Sequence, residues 1–208
     1  MPAPLTPAAY TVSIAGQPVE LPLVPINETL AISLLMVIDM GVKFGEHTGR
    51  ALAAKLAAAK PEVVVGTATL GIPVAIEVSR HLGLDHYVIL QKSPKIHLGD
   101  ALTETVKSVT SSGQQRLLLD RRAVPLLKGK RVVVVDDVVC TGSSLAATLR
   151  LVRQAGGDVV GTGVILTEGH DWRAPLGADA AKLVSLGHIP QFKIDGGKAT
   201  AIPETMAR

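Results

Sequence analysis

Two adjacent carboxylates, Asp136 and Asp137, follow four consecutive valines at 132–135 and precede Val138, Val139, Cys140, Thr141, Gly142, Ser143 and Ser144. The valine run suits a strand buried on both faces, and helical periodicity resumes at Leu145. A strand, a tight loop and a helix in that order place the loop at the carboxyl end of a parallel strand, where ligands bind. The start of the helix offers unpaired N–H groups and the positive end of its dipole, which favours a phosphate. Gly142 lets the backbone approach closely, and Thr141, Ser143 and Ser144 add hydroxyl donors. The acid pair would repel a phosphate, so its use must lie elsewhere. It suits accepting hydrogen bonds from neighbouring hydroxyls, such as a ribose diol, or flanking a divalent cation. The loop has no lysine, which excludes a P-loop, and no G-x-G-x-x-G opens a helix after a strand, so the dinucleotide fingerprint is missing.

The chain that must position these groups has 208 residues, enough for one domain with a small appendage and a substantial core. Hydrophobic residues at 47% and charged residues at 19% exclude a disordered chain. Aromatics at 2% make the core aliphatic and argue against a stacking platform for single-stranded nucleic acid. A net charge of +3, spread over scattered basic residues, is too small for a nucleic-acid track and compatible with an anionic small substrate. Cys140 is the single cysteine, so an internal disulfide and a zinc cluster are both excluded and the chain reads as cytoplasmic. Residues 1–10 lack the pattern of a signal peptide, and the apolar stretch at 30–38 is cut by Asp39, so no membrane partner is expected.

Alternating apolar positions at Tyr10, Val12 and Ile14 predict a strand or two in the first part of the chain. Residues 29–40 are apolar on nearly every side and predict a buried helix. The segment 46–60 predicts an amphipathic helix stopped by Pro61. Strands are then expected at 62–65, 86–90, 130–135 and 159–166, with helices at 73–81 and 145–155. Segments 103–110 and 116–119 read as two β pieces around a polar tip, and 182–202 as short β pieces broken by Gly187, Pro190, Gly196 and Gly197. The alternation makes the fold α/β, with a central, mainly parallel sheet flanked by helices.

The stretch 132–145 resembles the phosphoribosyl diphosphate (PRPP) signature of type I phosphoribosyltransferases. The resemblance implies that Asp136 and Asp137 hold the ribose hydroxyls. It also implies that Val138 and Val139 lead into a 5′-phosphate loop made by Cys140, Thr141, Gly142, Ser143 and Ser144. Thr67, Ala68, Thr69, Leu70 and Gly71 would form the diphosphate loop, although this one lacks the acidic residue common near its start. Lys92 and Lys95 would neutralise the leaving diphosphate, so that Asp136, Asp137 and Lys92 carry the catalytic expectation. Residues 103–120 are similar to the family's mobile lid. Mg²⁺ is implied as the cofactor, held through PRPP with no direct protein ligand other than Asp136 or Asp137.

Within the family the layout looks most like the purine branch, xanthine and adenine phosphoribosyltransferases. That implies a hood from both chain ends: 1–40 as its N-terminal part with an entry helix, 41–180 as the PRPP-binding core, and 181–208 as its C-terminal part. PRPP and a purine base are the implied partners, with a homodimer as the assembly. Asn27, Trp172 and Val138 are the implied base contacts. The lid residues Ser112, Gly113 and Gln114 are not acidic, which weakens adenine. No lysine stands near the end of the 159–166 strand, where 6-oxopurine enzymes read the oxo group. Two other readings stay open: a PRPP-sensing regulator without catalysis, and a phosphoribosyltransferase for another base such as orotate or uracil.

Overall fold

The computed structural model describes residues 5–94, 96–98, 100–106 and 115–207. In chain order the strands and helices are β1 (Ala9–Ile14), β2 (Gln17–Pro25), β3 (Leu30–Ser33), α1 (Val42–Leu56), β4 (Val63–Thr67), α2 (Gly71–Leu82), β5 (Tyr87–Leu90), β6 (Leu102–Val106), β7 (Gln115–Leu119), α3 (Val124–Leu127), β8 (Arg131–Val139), α4 (Ser143–Gln154), β9 (Asp158–Glu168), α5 (Arg173–Leu176), β10 (Leu183–Ile189), β11 (Phe192–Asp195) and β12 (Lys198–Ala201). The central sheet has the order β10-β9-β8-β4-β5 and every pairing in it is parallel.

The valine run shows why the sheet is two-sided. Val132 and Val134 point into the cluster that holds Leu145, Leu149 and Val152 of α4. Val133 and Val135 point into the cluster that holds Leu52 and Leu56 of α1 and Val74 and Val78 of α2. Period-two alternation thus sends apolar side chains to both faces, and helices cover both. Each of these valines is at most 1% exposed, and burying such a side chain contributes about 1.5–3 kcal/mol.

A second sheet, β1-β2-β3-β11-β12, is antiparallel and unites the two ends of the chain where β3 meets β11. This is the hood. Two expectations are corrected here. Residues 29–40 hold no helix: Leu30–Ser33 is a strand whose burial alternates residue by residue, because a short apolar run has no periodicity to separate helix from strand and the hood offers it two strand partners. The segment after 181 does not belong wholly to the hood, because β10 is the edge strand of the central sheet, parallel to β9. The hairpin β6–β7 occupies the place expected for a lid. Gln91 and Leu118 exchange two backbone bonds of 2.9 Å, fixing the base of the hairpin to the end of β5. Residues 107–114, which include most of the expected tip, lie outside the described residues.

Candidate active site

Strand β8 runs further than the valine run suggests. Asp136 and Asp137 stand within it, and Val138 and Val139 still pair with Leu166 and Thr167 of β9. The loop is therefore only 140–142. Placing the acids inside a strand fixes their backbone. Asp136 lies beside the end of β4, from which Thr67 Oγ1 donates to Asp136 Oδ2 at 2.6 Å. The Asp137 N–H donates to Asp136 Oδ1 at 3.2 Å. Burial and then the charge of Asp137 push Asp136 up to about 7, against the Thr67 bond and the positive charge of Lys92. Asp137 is also raised by burial, with hydrogen bonds and Lys92 opposing. Two such carboxyls side by side disfavour each other's charge, and a cation or hydroxyl donors would relieve that. Lys92 is exposed, two residues beyond β5, and its charge reaches both acids.

The neighbouring turns are shaped by glycine. A Cβ on Gly71, the first residue of α2, would lie 2.7 Å from Asp136 Oδ1 and 3.4 Å from Thr67 Oγ1. Only a bare backbone lets the loop at 67–71 close over the acid. Helix α2 starts with no side-chain cap, so its first N–H groups are not satisfied by a capping side chain. Gly142 has φ 75°, and a Cβ there would lie 2.6 Å from the Trp172 carbonyl oxygen. It opens α4, again without a side-chain cap; Ser143 N–H reaches Thr141 Oγ1 at 3.4 Å. Helices α2 and α4 thus bring two starts with uncapped N–H groups to either side of the acid pair, an arrangement for two anionic groups.

Between the hood and this loop lies a cavity of about 1090 Å³. Ile26, Asn27, Leu30 and Ile32 of the hood form one wall; Cys140, Thr141 and Ser143 form the other. Glu168, Asp171, Arg173 and Gln191 contribute charge and polarity. Glu168 ends β9, is 4% exposed, and leaves Oε1 without a hydrogen-bond partner among the described residues. Burial raises its pKa, while hydrogen bonds from Cys140 and Gln191 oppose the rise. Burial, then the charge of Glu168, pushes the Cys140 thiol up to about 12, so it stays neutral.

The expected base contacts separate. Asn27 lines the cavity, but its Oδ1 already accepts from Thr29 N (2.9 Å), Thr29 Oγ1 (3.0 Å) and Leu30 N (2.9 Å), leaving its amide N–H₂ for a ligand. Trp172 is 5% exposed, packs in the core with α4, and donates Nε1–H to Gly169 O at 3.1 Å. It is absent from the residues that line this cavity; the ring, with its N–H satisfied, packs in the core instead. Val138 likewise packs against the α1 and α2 face of the sheet, not on the cavity wall. Lys95 lies outside the described residues. Glu104, the acid in the lid hairpin, is paired with Arg150 at 3.1 Å. Sequence reasoning passed over Glu168, Arg173 and Gln191. An acid ending an otherwise apolar buried strand was a visible signal for Glu168; Gln191 enters from the far end of the chain and had none.

The donor set at Asp136 and Asp137 fits a hard divalent cation in one sense only. Among the described residues no group of three or more acids, histidines or cysteines comes together. An octahedral Mg²⁺ held there would therefore draw most of its oxygens from the ligand and water.

The chain is similar to known proteins. The phosphoribosyl transferase domain model matches residues 44–182. The chain is 31% identical over 143 residues to an orotate phosphoribosyltransferase of Caldanaerobacter subterraneus subsp. tengcongensis, covering 69% of this chain and 63% of that protein, just under two thirds of its length. It is 26% identical over 156 residues to a xanthine phosphoribosyltransferase of Laribacter hongkongensis, covering 74% and 81%. The crystal structure of an adenine phosphoribosyltransferase from Thermoanaerobacter pseudethanolicus shares the fold, with a TM-score of 0.69 at 22% identity over 80% of this chain and 94% of that one. The matched span takes in β4, the loop to Gly71, Lys92 and the whole acid-pair segment, and the chain belongs to the type I phosphoribosyltransferase family.

Proposed function

We propose that the chain is a purine phosphoribosyltransferase, moving the 5-phosphoribosyl group of PRPP onto a purine nitrogen and releasing diphosphate. The observation that carries the reading is one shared cavity. Thr141 and Ser143, at the start of α4, open into the same space as Asn27, Leu30 and Ile32 of the hood. A ribose 5-phosphate and a base can then meet without leaving the protein.

Each residue acts by position and charge. The loop at 140–144 and the start of α4 take the 5′-phosphate. Asp136 and Asp137 accept hydrogen bonds from the ribose hydroxyls and fix C1 of the sugar toward the hood. The backbone at 67–71 holds the diphosphate, and Lys92 neutralises the charge that grows on it as the bond to C1 breaks. Asp136 and Asp137 are the residues that would hold Mg²⁺, which supplies neutralisation of the leaving group when bound. The hood and hairpin keep water from the activated sugar. The same reading carries a homodimer and a cytoplasmic setting. No helix among the described residues is long and apolar enough to cross a membrane.

Orotate is a second reading, favoured by Arg173 on the cavity wall, a cation able to meet a base carboxylate, and by the name of the relative from Caldanaerobacter. A PRPP sensor without catalysis is not favoured, because Thr67, Asp136, Asp137 and Lys92 converge as a transferase needs. The deciding assay supplies PRPP and Mg²⁺ with adenine, hypoxanthine, guanine, xanthine, uracil or orotate, and detects nucleotide and diphosphate. Turnover of a purine is the expected result. Turnover of orotate or uracil alone, or PRPP binding with no turnover, overturns the purine reading.

A further inference from the structure

The cavity holds one polar atom that the fold itself leaves unsatisfied. Glu168 closes β9 between two parallel neighbours, with Thr167 paired to Val139 of β8 and Glu168 paired to Ile189 of β10. Its side chain cannot swing out to solvent and is 4% exposed on the cavity wall. Cys140 and Gln191 share the wall with the carboxyl and favour its charged form, and Oε1 has no hydrogen-bond partner among the described residues. Gln191 is itself held in place: its backbone N–H donates to Thr205 Oγ1 at 3.0 Å, and its Nε2 lies 3.8 Å from Cys140 Sγ. A buried acceptor without a donor is costly, and a ligand that brings the donor removes that cost only when bound.

We propose that Glu168, positioned by Gln191 and Cys140, is the group that selects the base, and that it selects a neutral 6-aminopurine over a 6-oxopurine or an anionic base; this rests on reading the cavity as a purine site. A carboxylate offers only acceptors, so the partner that Oε1 lacks is a donor. An amino group supplies it. An oxo oxygen at the same point sets acceptor against acceptor, and a base carboxylate or a ring anion placed against Glu168 sets like charges together, with Asp171 on the same wall adding to the repulsion and Arg173 opposing it. A site built around a buried hydrogen-bonding group rejects the analogue that lacks the partner more sharply than an apolar wall can. The site thereby offers an acid for an amino group in the same cavity where the lid supplies none, since Glu104 is engaged by Arg150.

The test compares kcat/KM for adenine, guanine and hypoxanthine in the full-length protein and in Glu168→Gln and Gln191→Met, with the KM for PRPP and the melting temperature followed in parallel. The wild type is expected to prefer adenine over hypoxanthine by at least tenfold. Glu168→Gln, which replaces an acceptor by an amide with a donor, is expected to lower that ratio at least tenfold while changing the PRPP KM less than twofold. Gln191→Met, remote from the sheet core, is expected to lower the ratio at least threefold, and it decides the matter alone if Glu168→Gln does not fold. A ratio unchanged in either folded variant, in an enzyme that does use purines, overturns the role of Glu168 and leaves the purine reading intact. A wild type that uses orotate or uracil and no purine overturns both.

Discussion

Replacing Asp136 by Asn removes one of two carboxylates held side by side in β8 while keeping an oxygen for the Thr67 hydroxyl, whose bond to Asp136 Oδ2 measures 2.6 Å. The Asp136 carboxyl is raised from 3.8 to about 7, first by burial and then by Asp137. A carboxyl with a raised value in the fold holds its proton more tightly there than in the unfolded chain. Its site is therefore at no disadvantage below about pH 4, loses stability as pH climbs from about 4 to 7, and stays at that loss above. At 1.36 kcal/mol per unit the loss has a ceiling of about 4 kcal/mol, and water access reduces it to about 1–3 kcal/mol. Asn carries no such charge penalty and gives up only the long 3.2 Å bond from the Asp137 N–H. Thermal melts in chelator without ligand should show Asp136→Asn melting about 2–10 °C above the wild type at pH 8, the two converging by pH 4. Activity should move the other way, with kcat/KM for PRPP falling on the order of 10²–10³-fold as a positioning and charge-bearing group is lost. A variant no more stable at pH 8, or a stability difference independent of pH, would refute the argument that the fold pays for this acid pair.

Three further outcomes follow from neighbouring contacts. Gly71→Ala, whose Cβ would lie 2.7 Å from Asp136 Oδ1, should lower kcat/KM for PRPP about tenfold or more while the base KM holds; steady-state kinetics with PRPP varied checks this. Asn27→Asp keeps the oxygen that accepts three hydrogen bonds from Thr29 and Leu30 and replaces the amide donor by a second, negatively charged acceptor. The melting temperature should therefore stay within about 2 °C while the base KM rises, and an unchanged KM makes Asn27 a turn residue. Trp172→Phe loses the 3.1 Å bond to Gly169 O and part of a ring buried in the core cluster with α4. It should cost about 1–3 kcal/mol in denaturant melts and raise the PRPP KM more than the base KM; the reverse pattern would return the ring to the base.

The PRPP side was legible because it is local. Strand, acids, loop and helix follow one another between Arg131 and Gln154, and each residue type has a reason in its own neighbourhood: valines for a two-sided strand, a glycine where φ is 75°, hydroxyls at a helix start. Even so, the strand proved longer than the valine run. Asp136 and Asp137 keep extended backbone because β9 continues to pair with Asp136 and, beyond the pair, with Val138 and Val139, a tertiary effect that no window of sequence contains. The strand at 30–33 was misread as helix for the same reason: its partners, β2 and β11, are distant in the chain.

The base side is assembled from pieces that sequence order scatters. Asn27, Cys140, Glu168, Arg173 and Gln191 share a wall only because the hood sheet takes strands from both chain ends and sets them over the carboxyl edge of the central sheet. Position along the chain suggested Trp172 there, as the lone tryptophan near the strand end; its ring is 5% exposed, with its N–H satisfied by Gly169. Four residues earlier, at the end of β9, Glu168 has the opposite character, buried and yet incomplete. In a closed core an incomplete acceptor is selected against by its cost. On the wall of a ligand cavity the same cost becomes affinity for whatever donor completes it, which is why discrimination between bases is better sought at Glu168 than at the aromatic ring that first drew attention.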